Sequence, residues 1–224
     1  MTENDQVDDW ERVGVRIREA RVAAKISVRE LARRIDVSSS HVSQVERGMA
    51  SFSVRALYNV VSILGISMDS LFEESSRVPP TDAATGSERA DELEVQGVVL
   101  RATARPVIPL GGGTRWERLT PHAESGAVFI EVVYPPNPSA PPPVDMVRHT
   151  GREYGVVIKG ALTVQIGFER TVLRRGDSMA VDSEIPHRFW NATTGEVRAI
   201  WFIDDDQHDG TSTHHGTPVS GSQR

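Results

Sequence analysis

Two stretches of the chain carry side chains with chemistry to offer. The first is Ser39, Ser40, His41, Ser43 and Gln44, with Val42 and Val45 set among them. On a helix the valines turn inward and the polar groups form an outer face. Short hydroxyl, imidazole and amide side chains of this kind let a helix enter a major groove and read base edges. Arg29, Arg33 and Arg47 flank the run. Guanidinium groups there suit phosphates, adding affinity without sequence information. The second stretch is in two parts, His149-Thr-Gly-Arg-Glu153-Tyr-Gly-Val-Val-Ile-Lys-Gly160 and Gly176-Asp177-Ser-Met-Ala-Val-Asp-Ser-Glu-Ile-Pro186-His187-Arg-Phe-Trp-Asn191.

Helices must position the first stretch. Val13, Ile17, Ala20 and Ala24 recur at helical spacing, as do Val54, Leu57, Val61 and Leu64. Ser27 to Glu30 reads as a capping box, and Ser38 and Ser53 are further N-cap candidates. A second helix is predicted over 28–35, a turn at Asp36-Val37, a third helix over 39–47 and a last short one over 67–72. Ala32 supplies the small contact that a steep helix crossing needs, with Leu31, Ile35, Val37, Val42 and Val45 as the buried set. Asp36 tolerates the left-handed backbone of such a turn. Glu46 would repel DNA and is expected to pair with Arg21 inside the domain.

Strands must position the second stretch. β-Branched and aromatic runs occupy 95–100, 127–134, 154–158, 162–166 and 197–203, separated by Gly, Pro and Asp turns. Many short strands with regular turns mean a sandwich or barrel, whose inward residues make a shielded cavity. The expected organisation is a disordered acidic N-terminus over 1–8, a helical domain over 9–74, a Pro- and Ser-punctuated linker over 75–92, a β domain over 93–204 and a polar, disordered tail over 205–224.

Composition narrows the function classes. There is no cysteine among the 224 residues, which excludes disulfides and thiolate metal sites. No run approaches the length of a membrane span, and the acidic start lacks the features of a signal peptide, so the expected location is the cytoplasm. The net charge is −6, yet arginines concentrate between residues 11 and 72. A basic module in an acidic protein is the asymmetry expected of a separate DNA-binding domain.

Residues 11–73 resemble the XRE-type, lambda-repressor-like helix-turn-helix family. The resemblance rests on Leu31-Ala32, Val37-Ser38, Val42-Ser43-Gln44 and Glu46-Arg47-Gly48, with Gly14 to Arg18, Arg21, Leu57, Leu64-Gly65 and Leu71-Phe72 in support. It implies an all-α, five-helix domain with Ser39, Ser40, His41 and Gln44 as base readers. Residues 93–204 resemble the cupin family, in the paired motifs quoted above and in Arg115 to Pro121 as a lead-in strand. That implies an all-β jelly-roll barrel (a double-stranded β-helix), and a facial triad of His149, Glu153 and His187 for one divalent Fe, Mn, Ni or Zn ion. Where such cupins usually carry a further histidine, this chain has Val147. Trp116, Phe129, Tyr154, Phe189 and Trp201 are candidates for the pocket lining. A metal-free pocket whose polar groups bind an organic ligand directly, or a purely structural His187, fits the same residues.

Together the resemblances imply a non-enzymatic transcription regulator. Its partners would be double-stranded DNA with a palindromic operator, a small-molecule effector and a second copy of the chain in a homodimer, with no membrane involved. The alternatives are a metal-dependent dioxygenase or isomerase with a fused helical domain, and a DNA-binding protein whose cupin serves only to dimerise.

Overall fold

The structure, a computed structural model, describes residues 3–72, 92–124, 126–139 and 145–204. Its helical part comprises α1 (Glu3–Ala23), α2 (Val28–Arg34), α3 (Ser39–Val45), α4 (Val54–Leu64) and a closing 3-10 turn, Asp69–Leu71. The hydroxyls of Ser27, Ser38 and Ser53 each accept the backbone N–H three residues on, so α2, α3 and α4 start on side-chain caps. Only half of the expected capping box forms. The Glu30 carboxylate does not reach back to Ser27 but accepts from Arg33 and Arg34, which hold it down at about 2. Asp36 takes the left-handed turn at φ 57°. A Cβ at Gly14 would lie 2.1 Å from the Val45 carbonyl oxygen, so α1 and α3 touch there only because residue 14 lacks one. The first helix begins before the expected boundary at residue 9, because neither Pro nor Gly stands upstream to stop it.

The β domain opens with a short helix, α5 (Glu92–Val95), and a 3-10 turn, Ala102–Ala104. The strand expected over 95–100 does not form. The segment turns at Gly97, whose φ of +70° is not that of a strand. Strands β1 (Val107–Pro109), β2 (Arg115–Arg118), β3 (Ala127–Tyr134), β4 (Arg152–Lys159) and β5 (Ala161–Ile166) follow. The rest are β6 (Glu169–Arg174), β7 (Ser178–Asp182), β8 (His187–Trp190) and β9 (Val197–Asp204). One sheet runs β1-β2-β3-β9-β4-β7 and the other β6-β5-β8. The burial period of β9 is two, with Val197, Ala199, Trp201 and Ile203 inward. These pack with Val128, Ile130 and Val132 of β3 and Leu162 and Val164 of β5 in one hydrophobic core. Apart from Glu92, which opens α5, the expected linker lies outside the described residues or at their edge, and the expected tail lies outside them.

The two domains share buried contacts. Arg118 of β2, fully buried, reaches Asp69 of the closing helical turn at 3.7 Å and lies over the Phe72 ring. The Glu124 N–H donates to Asp69 Oδ2 at 2.9 Å. Burial pushes the Asp69 carboxyl up, against the pull of that N–H and of Arg118. The Gly111 N–H donates to the Phe52 carbonyl at 3.2 Å, two residues ahead of α4.

Candidate functional site

On α3, Ser39, Ser40 and Gln44 are exposed and Val42 and Val45 are buried. His41 is half-buried, its ring edge-on to Phe52 at 5.5 Å. Of the flanking arginines, Arg29 is exposed, Arg47 is exposed and hydrogen-bonds the Ser43 carbonyl, and Arg33 is exposed but paired with Glu30. Glu46 does not face outward. Arg21 Nε and Nη2 donate to its two carboxylate oxygens at 2.5 and 2.8 Å, both residues buried. That bidentate pair ties α1 to the end of α3 and removes a negative charge from the helix's outer surface.

In the β domain, single donor atoms of His149, Glu153 and His187 all lie within 4.8 Å of one another. Glu153 sits on an inward position of β4 and His187 opens β8 of the opposite sheet. His149 is on no strand but in the loop before β4, its N–H held by the Ser183 carbonyl. Val147 forms a two-bond backbone bridge with His187. This bridge fixes the backbone at His187.

The hydrogen bonds set the tautomers. Nδ1 of His149 lies 2.9 Å from the Thr150 carbonyl, and Nδ1 of His187 lies 2.9 Å from the Ile185 carbonyl. A carbonyl oxygen only accepts, so each Nδ1 carries its proton. Both Nε2 atoms then face the same Glu153 Oε1, at 2.6 Å and 3.2 Å. Three lone-pair donors at these distances require positive charge on or between them. A proton on an imidazole Nε2 or a shared cation would supply it. Burial pushes the Glu153 carboxyl up, but the hydrogen bonds and charges of the two histidines outweigh this and hold it at about 2. Burial likewise pushes His187 down, and the Glu153 hydrogen bond and charge reverse that, leaving it raised. Two imidazoles with backbone-oriented rings and one carboxylate, all shielded, are a donor set that fits a first-row divalent ion.

Of the expected lining, Trp116 and Trp201 are buried and Phe189 is partly so. His187, Phe189 and Trp201 form a continuous stack, with centroids 5.4 and 4.6 Å apart. Tyr154 is not in the lining. Strand alternation turns Glu153 inward and therefore Tyr154 outward, where it is 44% exposed beside Phe202 and Arg152. Phe129 stands next to Phe202 on that same outer face, edge-on at 6.4 Å. Gly155 makes room for the stack, since a Cβ there would lie 2.4 Å from the Trp201 ring. Asn191 is structural, its amide donating to the carbonyls of Tyr134, Pro135 and Gly195.

Two residues escape a reading of the sequence. Tyr134 is buried, and burial and the Glu153 charge both push its phenol up, so it stays protonated beside the site. Its place at the end of an apolar strand gives no sign of this. Tyr58 lies on α4 of the helical domain, yet its ring stacks on His149, with centroids 4.1 Å apart and planes 6° apart. Nothing in a sequence separation of this length marks that contact.

Comparison with known proteins agrees with this division. Residues 17–71 match the family model described as Helix-turn-helix and residues 130–203 the one described as Cupin domain. The chain thus carries an N-terminal helix-turn-helix domain and a C-terminal cupin domain, the arrangement of a PuuR-like transcriptional regulator. It is similar to the HTH-type transcriptional regulator PuuR of Escherichia coli (strain K12), at 24% identity over 187 residues that cover 84% of this chain and 91% of that one. An HTH_3 family transcriptional regulator from Vibrio cholerae has the same fold, with a TM-score of 0.57 at 18% identity, covering 89% of this chain and 98% of that one. Hydroxypropylphosphonic acid epoxidase from S. wedmorenis aligns over 87% of this chain and 97% of its own at 20% identity, with a TM-score of 0.40, too distant a superposition to bear on chemistry. Among the described residues, no helix is long and apolar enough to cross a membrane.

Proposed function

We propose that this regulator is ligand-controlled: α3 reads an operator, and the cupin senses a small-molecule effector at a site built on His149, Glu153 and His187. The observation that supports the DNA half is the exposed polar face of α3, freed of negative charge by the burial of Glu46 against Arg21. In this reading Ser39, Ser40 and Gln44 contact base edges, and His41, half-committed to Phe52, contacts them from the side. Arg29, Arg33 and Arg47 contact phosphates, Arg33 after exchanging Glu30 for the backbone. A helix of seven residues spans too few base pairs for specificity alone. The regulator therefore acts as a homodimer, in the cytoplasm, on a two-fold operator.

In the sensor half, His149, Glu153 and His187 hold one divalent ion, which when bound supplies an electrophilic anchor for an oxygen or nitrogen donor of the effector. Trp116, Phe189 and Trp201 enclose its apolar part. The chain is a sensor and not an enzyme on this reading. The triad itself favours a second reading, a metal-dependent dioxygenase or isomerase, because two histidines and a carboxylate also leave positions open for oxygen and substrate.

Selection of duplexes from a random library by the full-length protein tests the proposal. Two half-sites related by two-fold symmetry and one helical turn apart are expected. Failure to enrich any motif contradicts it.

A further inference from the structure

The face of the DNA-binding domain that meets the cupin converges on one ligand residue. The buried stripe of α4 is Ala56, Leu57, Val60, Val61 and Leu64. Tyr58 lies off that stripe and lays its ring flat against the His149 imidazole, while its edge meets Trp116 at 6.0 Å. Three residues earlier on the same helix, Arg55 pairs with Asp145 at 3.3 Å, on the segment that leads into His149. The Gly111 N–H holds the Phe52 carbonyl just ahead of α4, and the Phe52 ring packs against His41 of α3. An unbroken set of contacts thus runs from α3 through Phe52 and the first turns of α4 to His149.

The three donors do not stand equally ready for a shared ion. Ligand atoms about 2.0–2.2 Å from one ion lie about 3 Å or more from each other. The His187–Glu153 pair already does at 3.2 Å, but the His149–Glu153 pair, at 2.6 Å, does not. His187 is pinned by two backbone bonds to Val147, whereas His149, on no strand, is held by one, to the Ser183 carbonyl. His149 is therefore the ligand that yields, and its imidazole face carries Tyr58.

From this we infer that Tyr58, a residue of the DNA-binding domain, is a positioning residue of the cupin site, orienting His149 and carrying its displacement into α4. The sensor site is then composite, one wall belonging to each domain. This inference rests on the reading of His149, Glu153 and His187 as ion ligands.

Titration of the full-length protein with Co2+, followed by its visible absorption and by hydrogen exchange of backbone amides in α3 and α4, tests it. In the wild type, Co2+ is expected to change exchange in α4 by about 3- to 10-fold, the scale of one aromatic contact. Tyr58→Phe keeps the stacked ring and should keep both the spectrum and the response. Tyr58→Leu should still take up Co2+, with an altered absorption band, and should lose the α4 response. Arg55→Gln, at a partly exposed position outside the core, should reduce the response without affecting folding. A Tyr58→Leu protein with the wild-type spectrum and wild-type α4 response overturns the inference and leaves the ion site standing. A wild-type protein that takes up no Co2+ overturns the ion site, and the inference falls with it.

Discussion

The proposed reading helix, α3, and the proposed sensor site are built in opposite ways. All of α3's exposed groups come from one continuous run between Ser39 and Gln44, and one serine cap starts the helix. The His149–Glu153–His187 triad joins a loop with β4 and β8 from two different sheets, across 38 residues of sequence from His149 to His187. The first site is polar, exposed and tolerant, and each side chain acts nearly alone. The second is buried and coupled, so each group's state depends on the other two. Substitutions at the exposed positions of α3 should therefore change recognition and leave stability alone, whereas substitutions in the triad should change both.

The largest effect is expected at His187. His187→Ala should abolish stoichiometric uptake of a divalent ion, lowering affinity by at least about 100-fold as measured by titration with metal analysis. It also strips a partner from the buried Glu153 charge, so the metal-free protein should lose about 3 kcal/mol in denaturant unfolding. Unchanged stability would mean that Glu153 takes water in place of the imidazole.

Glu46→Ala sharpens the contrast from within the helical domain. Glu46 neighbours the reading face but behaves like a triad residue, being buried and paired. The substitution leaves the Arg21 guanidinium buried without its carboxylate and should cost about 3 kcal/mol. Gln44→Ala, two residues away and exposed, should cost about 1–3 kcal/mol on a selected operator, little on random DNA, and nothing in unfolding. Arg47→Ala should weaken both kinds of duplex and reduce the salt slope by about 1. Equal losses for Gln44→Ala on both duplexes would remove that residue from the reading face.

The smallest expected effect is on the pH dependence of the β domain's stability. Glu153 is depressed to about 2, so its contribution is present above its ordinary value near 4.5 and is lost as pH falls towards 2. His187 is raised, so its contribution is complete below the ordinary imidazole value of about 6.5 and is lost as pH rises through its folded value. Metal-free protein should thus be most stable between about pH 4.5 and 6.5. A divalent ion needs both Nε2 atoms free of protons, so the stabilisation it adds should grow as pH rises through that same value. Thermal unfolding across pH, with chelator and with ion, separates the two. An ion effect independent of pH would contradict ligation by His187.

The difference in build also explains what could be read from the sequence. The caps at Ser27, Ser38 and Ser53, the left-handed Asp36 and the Arg21–Glu46 pair follow from local spacing and from the cost of an acidic group at a DNA-facing surface. The triad's membership was legible only because two short motifs carry it. Tyr154 stands outside the lining because period-two alternation sends the neighbours of Glu153 outward. The run over 95–100 has strand residues but starts at the end of α5 and turns at Gly97. Tyr58 and Arg118 were not legible at all, because their roles are set by how the two domains meet, and no local pattern encodes that.

On the proposed function, the His149–Glu153–His187 site and α3 are energetically linked. The most direct test of that link is a closed cycle on the full-length protein with Mn2+ and a selected operator duplex. Operator affinity is measured with and without the ion, and ion affinity with and without the duplex. The account predicts one factor, different from unity and the same on both arms, and its disappearance in His187→Ala. A factor of one on both arms, with the ion bound stoichiometrically, would contradict it.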